Sequence, residues 1–213
     1  TGVTLSSQPE TIHDFGGFPP ELYRVQYPAP GEPMLARLVR ELLSPIPVDL
    51  DARQGLDHGT WSVLCRVYPR ADIPVVQLGI DATKPPRFHY EIGQRLAPLR
   101  EKGVLILGSG NLVHNLRAYA WGQENAPACD WAQRFEITTK DLLLTGTHDR
   151  LIDYPSLGQD ALLSVPTPDH YLPLLYVLGA AQSTDPIAFP VTGIDGGSIS
   201  MLAVEVGASA ETK

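Results

Sequence analysis

The stretch Gly103-Val104-Leu105-Ile106-Leu107-Gly108-Ser109-Gly110-Asn111-Leu112-Val113-His114-Asn115-Leu116 decides how the chain is read. Val104 to Leu107 are four consecutive branched apolar residues. They predict a short strand buried on both faces, because a strand covered twice needs no polar alternation. The run ends in Gly108-Ser109-Gly110, where the backbone can turn sharply or approach a ligand closely. In open α/β sheets ligands sit at the carboxyl ends of strands, so chemistry is expected here, and His114 lies just beyond the turn. The stretch alone leaves two readings of His114: a site residue, or a structural histidine beside a turn.

Outward from this strand, helical patterns alternate with short apolar runs. Leu35, Leu38, Val39, Leu42 and Leu43 share one helical face, ended by Pro45 and Pro47. Val48 to Leu50 and Pro74 to Ile80 read as strands. Val63, Leu64 and Val67 have helical spacing. Pro85-Pro86 opens a helix reaching about Lys102, and another runs from about Trp131 to Leu144. Thr145 to Val165 resist assignment. Thr167-Pro168-Asp169-His170 predicts a helix capped by threonine with proline in its first position, ending near Gly179. Ile187 to Val191 and Ile199 to Val206 are closing strands, the first an edge strand because of Pro190. The alternation predicts an α/β fold, a single domain with a central mixed, mostly parallel β-sheet flanked by helices.

Composition narrows the function classes. The 213 residues are 43% hydrophobic and 19% charged, enough apolar content for a sizeable core. A net charge of −8 argues against nucleic acid and anionic membrane surfaces as partners, and no apolar run approaches the ~20 residues of a membrane span. Cys65 and Cys129 stand far apart in no paired motif, which fits a reducing cytoplasm. The oligomeric state is left open. The chain starts at Thr1-Gly2-Val3-Thr4-Leu5, like the tail of a strand, so a cut through a longer protein is expected.

Histidine is the informative residue type, and His58, His114 and His170 fall at element boundaries. His170 is placed in the first turn of its helix, on the face of Leu174, Val177 and Leu178, pointing inward. The helix N-terminus disfavours imidazolium there, and a neutral ring is what a metal needs. A core histidine bonded to a carbonyl is the other reading. His58 lies between Asp57 and Gly59 ahead of a helix, where the adjacent carboxylate would orient the ring or raise its pKa for acid–base work. A plain turn histidine is equally compatible. His13, in the aromatic loop from Thr11 to Pro30, either touches a substrate or caps the turn at Asp14-Phe15-Gly16. His89 and His148 read as solvated surface residues. Gly196-Gly197-Ser198 reads as a turn or part of a pocket lining. The residues by themselves reach a histidine-lined, aromatic-edged pocket with plausible metal dependence.

Four stretches taken in order carry a resemblance: Thr11 to Pro19, Asp57 to Trp61, Gly108 to Leu116, and Thr167 to Leu174. The set resembles the DOPA 4,5-dioxygenase family, relatives of the class III extradiol ring-cleaving dioxygenases. The resemblance implies a mononuclear Fe(II) enzyme, with Zn(II) in some bacterial members, that opens a small catechol with O2. It implies His170 as metal ligand and His114 as metal ligand or acid–base residue. His58 would be a catalytic residue bonded to substrate or activated oxygen. Substrate binding is expected in the loops around Phe15, Tyr23 and Gly197, with His13 and Gly197 as lining residues. The family carries two further metal histidines upstream of the region matched at Thr1. With two ligands against about three needed, weak metal binding and an inactive, N-terminally incomplete domain over 1–213 are expected. A non-catalytic metal- or ligand-binding relative and a zinc hydrolase using the same pocket are the alternatives.

Overall fold

The computed structural model describes residues 1–207, which pack as two compact units, Thr1–Asp81 and a second from Ala82 onward. In the first unit the order is β1 (Gly2–Thr4), α1 (Pro33–Leu43), β2 (Asp49–Asp51) and α2 (His58–Val67). β1 and β2 pair in parallel, Gly2 against Asp49 and Thr4 against Asp51. The parallel pairing is reached through α1, which turns Ala36, Val39 and Leu43 into the core. The run from Pro74 to Ile80 forms no strand of its own. Leu78 makes a single bridge to Val3, and Gly79 N–H donates to the Gly2 carbonyl at 2.8 Å.

The second unit holds α3 (Pro86–Leu96), α4 (Asp130–Leu144), α5 (His148–Ile152), α6 (Gln159–Ser164) and α7 (Leu172–Gly179). They are followed by β3 (Ile187–Val191), β4 (Ile194–Asp195), β5 (Ile199–Ser200) and β6 (Ala203–Val206). β3 pairs antiparallel with β6, and β4 with β5. The architecture is α/β. Its parallel character rests on the β1–β2 pair, while the closing strands hairpin back on one another, because their connections are too short for a crossover helix. The core of this unit gathers Phe135, Leu143, Leu151, Tyr171, Leu172, Leu175 and Leu178. Among the described residues no helix is long and apolar enough to cross a membrane.

Three expectations are corrected by burial and capping. Val104 to Leu107 forms no strand and is not covered on both faces: Leu105 is 66% exposed and Leu107 43%, while Val104 and Ile106 are half-buried. Val104 and Ile106 line a cavity of about 210 Å³ with Arg100, Val177 and Ala180. A run of four apolar residues reads alike whether one face or two is covered. His89 is fully buried rather than solvated, and its Nδ1 lies 2.9 Å from the Tyr176 hydroxyl. It shares the stripe of Ile92, Gly93 and Leu96, which outranks the polar neighbours Tyr90 and Glu91. The helix after Thr167 starts late. Tyr171 is its N-cap residue, so His170 stands just ahead of the helix in a turn where Tyr171 and Leu172 N–H both donate to the Pro168 carbonyl at 2.9 Å.

His148 is half-buried, with Nδ1 3.2 Å from the Tyr90 hydroxyl. Burial lowers its pKa from the ordinary 6.5, against the opposing pull of Asp149. His114 is lowered in the same way by burial and then by the neighbouring His170. As the pH falls, the unfolded chain therefore takes up these protons first. Stability carried by the neutral rings is whole above about pH 6.5 and is lost progressively below it. Urea midpoints should drop between pH 7.5 and 5.5, and His148→Gln should flatten the slope. A midpoint that rises on acidification would contradict this.

Candidate functional site

In the second unit, His114 is held from both sides. Its N–H donates to the Ser164 carbonyl at the end of α6 (2.9 Å), and it bridges Ile199 of β5. Ser200 N–H donates to the Val113 carbonyl, and Asn115 N–H to the Ser198 carbonyl. The flanking side chains complete the frame. Asn115 Nδ2 donates to the Leu163 carbonyl (2.8 Å), Asn111 Nδ2 to the Ser200 carbonyl (2.9 Å), and Ser198 Oγ to the Asn115 carbonyl (2.8 Å). Ser200 Oγ donates in turn to buried Glu136 of α4 at 2.7 Å. These supporting residues were not singled out from the sequence. Their only signal there is polar type beside apolar runs.

His170 reaches the same place through Gly108-Ser109-Gly110. A Cβ on Gly110 would sit against the His170 carbonyl far closer than real Cβ atoms come, and one on Gly108 would lie 2.5 Å from the Pro173 carbonyl. The close approach expected at these glycines is thus made to the chain's own backbone, and Asn111 N–H seals it with a 2.9 Å bond to the His170 carbonyl. The rings of His114 and His170 stack with centroids 3.6 Å apart and planes 5° from parallel. Asp169 Oδ2 lies 2.6 Å from His170 Nδ1, so the carboxylate faces this ring nitrogen. Partial burial raises the Asp169 carboxyl. The Thr167 hydroxyl, a backbone hydrogen bond and His170 outweigh it and hold Asp169 below the usual range.

Gly197 is buried close by in the chain, at φ +82°, and its carbonyl accepts from Cys129 N–H at 2.9 Å. A side chain there is strained by the backbone and would meet the Pro127 carbonyl at 3.2 Å.

In the first unit, His58 opens α2. The neighbouring Asp57 does not orient its ring, contrary to expectation. Asp57 caps the helix, accepting from Thr60 N–H at 3.0 Å and from Gln77 Nε2 at 2.8 Å. Gln77 Oε1 accepts in return from Asp57 N–H and the Thr60 hydroxyl. The carboxylate beside the ring belongs to Asp14, whose Oδ1 faces both His58 N–H (3.0 Å) and His58 Nδ1 (2.8 Å). Partial burial raises the Asp14 carboxyl, but the hydrogen bonds from the His58 backbone and ring hold it below the usual carboxylate value. His13 Nε2 donates to the Val25 carbonyl at 2.9 Å, and its ring packs on Trp61 at 5.4 Å and Phe15 at 5.9 Å. That bond anchors the aromatic loop and leaves Nδ1 as an acceptor.

The donor types in the second unit suit a divalent ion: two imidazoles stacked ring on ring. Their number does not. About three protein donors hold such an ion with an open position, and among the described residues no group of three His, Cys, Asp or Glu is arranged to do so. The pair is a partial donor set.

Comparison with known proteins sets these residues in context. The chain is 51% identical over 211 residues to the 4,5-DOPA dioxygenase extradiol of Escherichia coli K12, an alignment covering 97% of the chain and 77% of that protein. It is 37% identical over 199 residues to the protein of the same name from Beta vulgaris, covering 90% and 72%. The crystal structure of an uncharacterized protein from Escherichia coli K12 superposes with a TM-score of 0.81 at 46% identity, covering 95% of this chain and 79% of that one. The family model described as the catalytic LigB subunit of aromatic ring-opening dioxygenase matches residues 2–192. With nearly the whole chain inside that match, the protein belongs to this ring-opening dioxygenase family.

Proposed function

We propose that the protein is an extradiol dioxygenase that opens the ring of a small DOPA-like catechol, placing both atoms of O2 in the product. The observation that carries this reading is the stacked His114–His170 pair, framed by hydrogen bonds within a chain whose family opens aromatic rings. In this reading residues 1–213 belong to one ring-cleavage domain, of which the family model matches 2–192. His114 and His170 are its contribution to an Fe(II) or Zn(II) centre, completed by at least one donor from elsewhere. Such a metal, when bound, would supply Lewis acidity toward the catechol oxygens.

The remaining roles belong to the chain's own groups. Asp14 is a carboxylate, an acceptor only, so the facing His58 Nδ1 carries a proton, and in the neutral ring Nε2 holds the lone pair. His58 Nε2 is therefore suited to take a phenolic proton from the substrate. Substrate binding is assigned to His13 Nδ1 in the first unit and to the backbone at Gly197 in the second. Cys65 and Cys129 are free thiols, which fits a reducing compartment.

The test is oxygen uptake with DOPA after loading with Fe(II), read alongside a yellow ring-opened product. His58→Ala, His114→Ala and His170→Ala should each lower the rate by about a hundredfold or more. Two donors predict weak metal retention on gel filtration. Ester or amide hydrolysis without O2 uptake would replace the reading with a zinc hydrolase. DOPA binding without turnover, which the short donor set favours as second reading, would make the protein a ligand-binding relative.

A further inference from the structure

We propose that Asp14 is the positioning residue of His58, fixing its ring as the Nδ1–H tautomer and presenting Nε2 outward. The inference rests on the proton-accepting role assigned to His58 above. One carboxylate oxygen, Asp14 Oδ1, faces two donors of the same residue, the His58 backbone N–H at 3.0 Å and ring Nδ1 at 2.8 Å. Holding backbone and ring through one atom fixes both the start of α2 and the rotation of the imidazole. The Phe15 ring adds a second restraint, lying edge-on to His58 with centroids 5.7 Å apart and planes at 82°.

Two alternatives for the contact fail on the geometry. Helix capping is already done by Asp57, which accepts from Thr60 N–H. Stability is a poor reason for the pair, because both side chains are well exposed, 48% for His58 and 40% for Asp14, and exposed pairs contribute little. A carboxylate that orients an imidazole and selects its tautomer is a recurrent arrangement where the far nitrogen must handle a proton. The adjacent position in sequence belongs to Asp57, so only the folded loop discloses the partner.

The wild-type protein decides the first point. Nitrogen-15 NMR of the neutral His58 ring should show the Nδ1–H tautomer as the dominant form, and a dominant Nε2–H form would overturn the proposal. Asp14→Asn should then mix the tautomers and lower kcat by about ten- to a hundredfold with KM little changed. Asp14→Glu should recover part of the kcat. An Asp14→Asn protein with wild-type tautomer and kcat overturns the positioning role. Loss of the Nδ1–H tautomer in Asp14→Asn, with His58→Ala still fully active, would leave the positioning intact and defeat only the assigned role of His58.

Discussion

Gly179→Ala is expected to destabilise the protein by about 2 kcal/mol or more, from a steric cost of about 3 kcal/mol at the upper end of what overpacking costs. At this glycine α7 crosses α3 with backbone against backbone. A Cβ would collide with the Tyr90 carbonyl and lie 2.9 Å from Gln94 N and 3.0 Å from Gly93 Cα. The reciprocal substitution, Gly93→Ala, meets the Tyr176 backbone. None of these atoms can rotate aside, so the helices must separate. Separation also pulls on Leu172, Leu175 and Leu178 in the core and on the 2.9 Å contact between His89 and Tyr176. Alanine's better helix propensity offsets only about 1 kcal/mol. A net loss of about 2 kcal/mol or more lowers Tm by roughly 4–8 °C at this size. Gly103→Ala is the control. It has positive φ but open space around it, and should cost less. A Gly179→Ala protein melting within a degree of wild type would refute the backbone crossing.

Gly110→Ala should strike the histidine pair itself. The added methyl would occupy the space of the His170 carbonyl and press on Pro173 Cγ at 3.2 Å. The 170–173 turn must back away, breaking the 2.9 Å bond from Asn111 N–H and sliding His170 off His114. Stability should fall by about 1–3 kcal/mol. Ring-opening activity should fall by about a hundredfold, because a displacement near 1 Å at reacting groups has that effect. Ser109→Ala, between the two glycines, is expected to stay within about 0.5 kcal/mol of wild type with activity intact. Equal activity in Gly110→Ala and Ser109→Ala would separate the histidine pair from the chemistry.

These two predictions show where the sequence is legible. The glycines at 108 and 110 announce a sharp turn or a close approach to a ligand, and the structure shows a close approach to backbone. What approaches was not in the motif. It is the backbone of His170, brought there by the turn that precedes α7. The same division appears at His58. The Asp57-His58 pair suggested an orienting carboxylate, yet Asp57 is spent on the helix cap and Gln77, and Asp14 faces the ring. At His89, the spacing with Ile92, Gly93 and Leu96 marks the buried stripe, while the polar neighbours Tyr90 and Glu91 suggest a solvated face.

By itself the sequence determined the α/β class, most helices, the informative histidines, and a resemblance that the comparisons bear out at the level of the family. These are properties of local spacing: periodicity, proline and glycine punctuation, and ordered motifs. The tertiary structure alone decided that His114 stacks on His170, that Asp14 rather than Asp57 faces His58, and that Val104 to Leu107 is covered on one face. The physical reason is that a polar group satisfies itself with whichever donor or acceptor packing delivers, and packing brings together segments whose separation along the chain carries no signal of their contact.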